Sequence, residues 1–77
     1  MQIKLLAFAQ AHDLLGFRER EIEAAPEETP RQLMARLAPE FDPKSARAAI
    51  DCNYHDWDAP IGADARELAI IPPVSGG

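Results

Sequence analysis

The tightest constraint on this chain is how little of it can fill a core. Of its 77 residues 36 are hydrophobic, but 14 of those are Ala, which leaves 22 larger apolar side chains. A domain of this length buries only about 60% of the surface its unfolded chain exposes. One two-layer domain with a single core is therefore expected, marginal alone and helped by a partner. Charge narrows the partners. Eight Lys and Arg stand against 13 Asp and Glu, a net charge of −5. Nucleic-acid affinity comes from Lys and Arg on phosphates, so no nucleic-acid partner is expected. An acidic chain fits a protein or enzyme with a basic docking face. No apolar run approaches a membrane span, and no charged-then-apolar leader opens the sequence, so neither membrane insertion nor secretion is expected. The single Cys52 excludes an internal disulfide framework and a Cys-based zinc site, and the expected compartment is a reducing cytoplasm.

Met1–Phe8 alternates, with Ile3 and Leu5 on one face and Gln2 and Lys4 on the other, which predicts a strand. Ala9–Leu15 predicts a short helix, with Gly16 placed to end it. Phe17–Glu23 is charge-rich, as an edge strand is when unwanted pairing must be discouraged. Thr29-Pro30-Arg31-Gln32 reads as a helix start with a capping box. Leu33, Met34 and Leu37 supply its buried face, and Pro39 stops it near Ala38. Phe41 is expected to fold back on the core, and Pro43 to begin a turn. Ala48–Tyr54 alternates Ala48, Ile50, Cys52 and Tyr54 against Ala49, Asp51 and Asn53, which predicts one strand with Cys52 on its apolar face. A hairpin tip over Asn53–Asp58, a short strand near Trp57 and a final strand Glu67–Ile71 follow. The order β-α-β-α-β-β-β, with about five short strands, predicts an α+β fold with helices on one face of the sheet.

The chain then reads Pro72-Pro73-Val74-Ser75-Gly76-Gly77. Proline cannot donate to a ladder, so the sheet ends before Pro72, and two prolines stiffen the exit. The expected division is a domain over 1–71 and a projecting tail over 72–77. Two glycines lack Cβ and can thread a channel too narrow for other residues. The α-carboxylate of Gly77 is ionised at neutral pH and is a poor electrophile until activated. From Val74 to Gly77 the reach is at most roughly 14 Å, enough to enter a partner's active site.

With that ending, the sequence resembles the molybdopterin synthase small, sulfur-carrying subunit family. The resemblance covers nearly the whole chain. Its most specific part is Leu68-Ala69-Ile70-Ile71-Pro72-Pro73-Val74-Ser75-Gly76-Gly77; Leu6-Ala7-Phe8-Ala9 with Leu14-Leu15-Gly16, and Ile50-Asp51-Cys52-Asn53, are weaker parts. The resemblance implies a β-grasp, ubiquitin-like fold with a mixed sheet of about five strands. It implies that an ATP-dependent adenylating enzyme, using ATP and Mg, forms an acyl-adenylate on Gly77. A sulfur-delivering protein then converts it to a thiocarboxylate. Docked on the molybdopterin synthase large subunit, the tail donates sulfur to cyclic pyranopterin monophosphate. The implied assembly is a heterotetramer, the chain carries no catalytic machinery of its own, and it binds no cofactor or metal. Two departures stand out. His12-Asp13 replace a usual Arg-Glu, and Asp64-Ala65-Arg66-Glu67 replaces an Asp-Gly-Asp-Glu turn. A left-handed Ala65 would cost about 1 kcal/mol, so the turn is expected to differ there. Rival readings are a thiamine-type sulfur carrier, a ubiquitin-like modifier joined to lysines, and a non-covalent binding module.

Other residues are assigned quieter roles. A persulfide on Cys52 is set against a buried core thiol, and the core thiol is the expectation. His12 and His55 lack metal-ligand spacing. His55-Asp56-Trp57-Asp58 is read as a solvated tip with Trp57 half-packed, and Glu19, Glu21 and Glu23 as an exposed strand face. Ser75 has no partner placed to make it a nucleophile. The surface around Phe8, Phe41 and the last strand is the expected partner interface.

Overall fold

Alternate apolar side chains commit Gln2–Ala7 to an extended conformation, because Ile3, Leu5 and Ala7 then share one face. The computed structural model describes residues 1–72. In it that segment is β1, and those three side chains are at most 1% exposed. Next comes α1 (Ala9–Leu15), ended by Gly16, whose φ of 83° forms the left-handed cap. Then follow β2 (Glu19–Glu23), α2 (Pro30–Leu37), a 3-10 turn (Pro43–Ser45), β3 (Arg47–Ile50), β4 (Asn53–His55) and β5 (Glu67–Ile71). The strands form one sheet in the order β2-β1-β5-β3-β4. Its β1–β5 pair is parallel and the other pairs are antiparallel. This mixed sheet with two helices is the expected α+β, β-grasp fold.

Register explains why there is one core. Leu5 stands beside Leu68, and Ala7 and Ala48 both stand beside Ile70. Ala11 of α1 and Leu33 and Met34 of α2 pack into the same cluster, so both helices cover one side of the sheet. The capping box forms as the sequence predicts. Thr29 Oγ1 accepts from the Gln32 N–H at 3.1 Å, and Gln32 Oε1 accepts from the Thr29 N–H at 3.0 Å. Thr29→Ala is expected to lower stability by about 1 kcal/mol. The check is a lower urea midpoint at unchanged slope. The loop after β4 is tied to the start of α2, where Arg31 Nε donates to Asp58 at 2.7 Å and holds its carboxyl below the ordinary carboxylate value.

The hairpin after β3 departs from the alternation. β3 ends at Ile50, which pairs with Asn53 across a two-residue turn. Asp51 and Cys52 have φ of 48° and 73°, the positive values a type I′ turn requires. Cys52 is therefore exposed in a turn, and the expected core thiol is corrected. The cause lies outside the segment. Asp51 Oδ1 accepts from the Arg66 and Glu67 N–H groups at 3.1 and 3.0 Å, tying the turn to the start of β5. Accordingly, the tip is Asp51–Cys52 and not Asn53–Asp58, and Tyr54 is exposed on β4. Trp57 lies in the turn beyond β4, not in a strand. The edge strand β2 begins at Glu19, two residues later than Phe17.

Ala65 keeps a negative φ, while Gly62 takes the left-handed conformation at 94°. Strain falls on Ala9 instead, at φ 50°, where a Cβ costs about 1–2 kcal/mol. After glycine's own entropy cost, Ala9→Gly is expected to gain about 0.5–1 kcal/mol, read as a raised thermal midpoint.

Candidate functional site

A sheet covered by helices on one side turns its other side to solvent or to a partner. On that open side one row crosses the whole sheet: Glu19, Leu6, Ala69, Ala49 and Tyr54 stand side by side. In the next row, toward the end of β5, Arg47 stands beside Ile71. Phe8 continues the open-side phase of β1, and its N–H donates to the Ile70 carbonyl at 3.2 Å. Leu6, Ala69 and Ile71 are half-buried, whereas Phe8 is 46% and Tyr54 58% exposed. Toward the opposite end the face turns polar, with Glu21, Lys4 and Glu67 in one row. The apolar patch thus lies where β5 hands the chain to Pro72. A contiguous apolar patch on a small domain marks a binding surface.

Charge frames the patch. The guanidinium carbon of Arg47 lies 4.3 Å from the Tyr54 ring centroid and braces it. Beside Phe8, a notch of about 250 Å³ is lined by Ala7, Phe8, Ala9, His12 and Arg18. Glu19, Glu21 and Glu23 are exposed along the β2 edge, as expected.

Of the residues singled out in the sequence, Pro72 follows Ile71 directly and is exposed. Pro73, Val74, Ser75, Gly76 and Gly77 lie outside the described residues. Phe8 and the last strand fall on the patch. Phe41 does not: it is 7% exposed, and its ring packs 5.9 Å from that of Trp57. Pro39 ends α2 and the chain turns Phe41 inward, so its place in the interface is corrected. Trp57 is half-buried, and its indole N–H donates to the Ala46 carbonyl at 3.4 Å. His12 sits on α1, whereas His55 Nε2 on β4 lies 3.0 Å from the Ala59 carbonyl oxygen. Among the described residues no three His, Cys, Asp or Glu side chains gather as a metal site. No helix of the described residues is long and apolar enough to cross a membrane.

Sequence reasoning missed Arg47, Ala49, Tyr54 and Leu6 as parts of the site. A signal was present in two strands. Leu6 breaks the polar phase of Gln2 and Lys4, and Ala69 and Ile71 break that of Glu67. Apolar residues on the solvent phase of a half-buried strand mark a covered or docking face.

The sequence profile of the ThiS family matches residues 5–77. The chain is 34% identical over 83 positions to the molybdopterin synthase sulfur carrier subunit of Chlamydomonas reinhardtii, and the alignment spans 100% of both chains. Among solved structures, a putative molybdopterin converting factor subunit 1 from Pyrococcus furiosus superposes with a TM-score of 0.73 at 23% identity, covering 96% of this chain and 99% of that one. A protein–protein complex of subunits 1 and 2 of molybdopterin-converting factor from Helicobacter pylori has a chain that superposes with a TM-score of 0.61 at 19% identity, covering 100% of both chains. At these identities the structural likeness bears on the fold.

Proposed function

The chain belongs to the ThiS family, and from that premise we propose that it is a sulfur carrier in molybdopterin synthesis, with Gly77 as the group that carries the sulfur. The observation that supports the reading most is that the family match runs through the Pro72–Gly77 ending, which follows directly on a strand at the edge of an exposed apolar patch. In this reading the open face docks and the tail reacts. An ATP-dependent adenylating enzyme binds the patch, and an oxygen of the Gly77 carboxylate attacks the α-phosphate of ATP. Pyrophosphate leaves and an acyl-adenylate forms. Sulfide released by a sulfur-delivering protein attacks the acyl carbon, AMP leaves with the C–O bond broken, and a thiocarboxylate remains. The tail then enters the large synthase subunit, where its sulfur passes to cyclic pyranopterin monophosphate and water restores the carboxylate. A dithiolene holds two sulfurs, so two charged chains are consumed per product. In the Helicobacter pylori structure subunits 1 and 2 form a complex, which supports a large-subunit partner for this chain as well, in a cytoplasmic heterotetramer.

The chain's own contribution is placement. Binding through Leu6, Phe8, Ile71 and Tyr54 brings the tail into a channel without any catalytic side chain on this molecule. The decisive test is the intact mass of the chain after incubation with an adenylating partner, ATP and a sulfide source. Exchange of one oxygen for sulfur, localised to Gly77, is expected. An unchanged mass with a competent partner would favour a non-covalent binding module, and mass added at partner lysines would favour a protein modifier.

A further inference from the structure

We propose that the partner surface receiving this chain is acidic around an apolar centre, and that Arg18 and Arg47 are the residues that read it. The inference rests on the carrier reading above, because it concerns the same face. Net charge points the other way: at −5 the chain as a whole favours a basic partner. The charge is unevenly spread, however. Glu21, Glu23, Asp51 and Glu67 stand at the end of the sheet away from Pro72, opposite or beside Gln2 and Lys4 at the start of β1 and the start of β5. At the Pro72 end, Arg47 stands beside Ile71, and Arg18 lines the notch beside Phe8. Both arginines are exposed.

Among the described residues neither forms an ion pair. The nearby Glu19 is taken by Lys4 at 3.8 Å, while Asp58 and Glu28 are taken by Arg31 and Arg36. Arg47 stacks its guanidinium over the Tyr54 ring. Stacking uses the flat face of the group and leaves its N–H donors, which lie in the plane, for another acceptor. Arg18 is held in place from behind, since its carbonyl accepts from the Ala7 N–H at 2.8 Å. Closing a partner over Phe8, Ile71 and Tyr54 strips water from both guanidinium groups. A basic or purely apolar surface would leave them buried and unpaired, a heavy penalty, whereas carboxylates at matching positions convert the same burial into charge-assisted hydrogen bonds. Arg47 borders the patch at Ile71 and Tyr54, and Arg18, which stands opposite Ala7 on the other phase of the sheet, borders it only at the notch beside Phe8, so the complementary surface is an apolar centre with acidic groups at those two borders.

The test is a calorimetric titration of the chain with the large synthase subunit at low and at raised NaCl. Arg18→Glu and Arg47→Glu are each expected to weaken association about tenfold, and the double variant by more than either. Arg66→Glu changes net charge equally at the far end of the sheet, and is expected to leave affinity unchanged. Raised salt is expected to weaken wild-type binding. Reversals at Arg18 and Arg47 that leave affinity unchanged or tighten it would overturn the inference, as would an equal loss from Arg66→Glu. Arg18→Gln and Arg47→Gln, expected to show smaller losses in the same order, keep the test intact if a reversal fails to fold. A wild-type chain that binds no large subunit would overturn the carrier reading itself, whereas binding indifferent to the two arginines overturns only the acidic borders.

Discussion

Gly77→Val is expected to slow sulfur loading at least about 100-fold while leaving the thermal midpoint where it is. The reason begins with the residue itself. A Cβ branched at Gly77 narrows the backbone conformations available and widens the tail at the reacting atom. Displacing a reacting carboxylate by about 1 Å from its productive position can cost roughly 100-fold in rate. Every residue of the described core cluster lies at or before Ile70, so stability does not depend on this side chain. Time-resolved intact mass with the adenylating partner, ATP and sulfide measures loading, molybdopterin formation by the reconstituted synthase measures transfer, and a circular dichroism melt measures the fold. Loading and transfer at wild-type rates would show that the terminal carboxylate reacts whatever side chain it carries, and would overturn the threading role given to Gly77.

Leu68→Ala is expected to do the reverse. Leu68 is 0% exposed in β5, the central strand of the sheet, beside Leu5, which is also 0% exposed. Removing three buried carbons and leaving a cavity between β1, β5 and α2 costs about 3 kcal/mol. A domain of this size holds only roughly 4–12 kcal/mol in total. In a 60–100-residue domain each kcal/mol shifts the midpoint about 4–8 °C, so a fall on the order of 15 °C is expected. Tyr54→Ala on the open face makes the contrast: a stability change within about 0.5–1 kcal/mol, because the ring is already 58% exposed. A small midpoint shift for Leu68→Ala would mean that the core collapses around the cavity or that β5 is not its central strand.

Much of the architecture was readable because its signals are local. The alternation of Ile3 and Leu5, the glycine after Leu15, the Thr29-Pro30-Arg31-Gln32 cap and the Pro72-Pro73 stop each act within a few residues. The helices Ala9–Leu15 and Pro30–Leu37 and the strand Glu67–Ile71 form where those signals stand. The Ala48–Tyr54 segment misled for the same reason. Its alternation is local, but the turn at Asp51 and Cys52 depends on backbone N–H groups of Arg66 and Glu67, some fifteen residues away. Once those donors claim the Asp51 carboxylate, the turn is set, Ile50 pairs with Asn53, and Cys52 is turned out of the core.

By itself the sequence determined the fold class, most element boundaries and a family-specific ending, because propensity, capping and proline chemistry are properties of neighbouring residues. Tertiary structure decided what faces outward. Leu6, Ala49, Ala69, Ile71 and Tyr54 come from four strands, and only the pairing of β1, β5, β3 and β4 lays them side by side. The same pairing sets Arg47 beside Ile71 and leaves Phe8 on the surface while Phe41 turns inward. A docking face is a relation between strands distant in the chain, and no window along the sequence contains it.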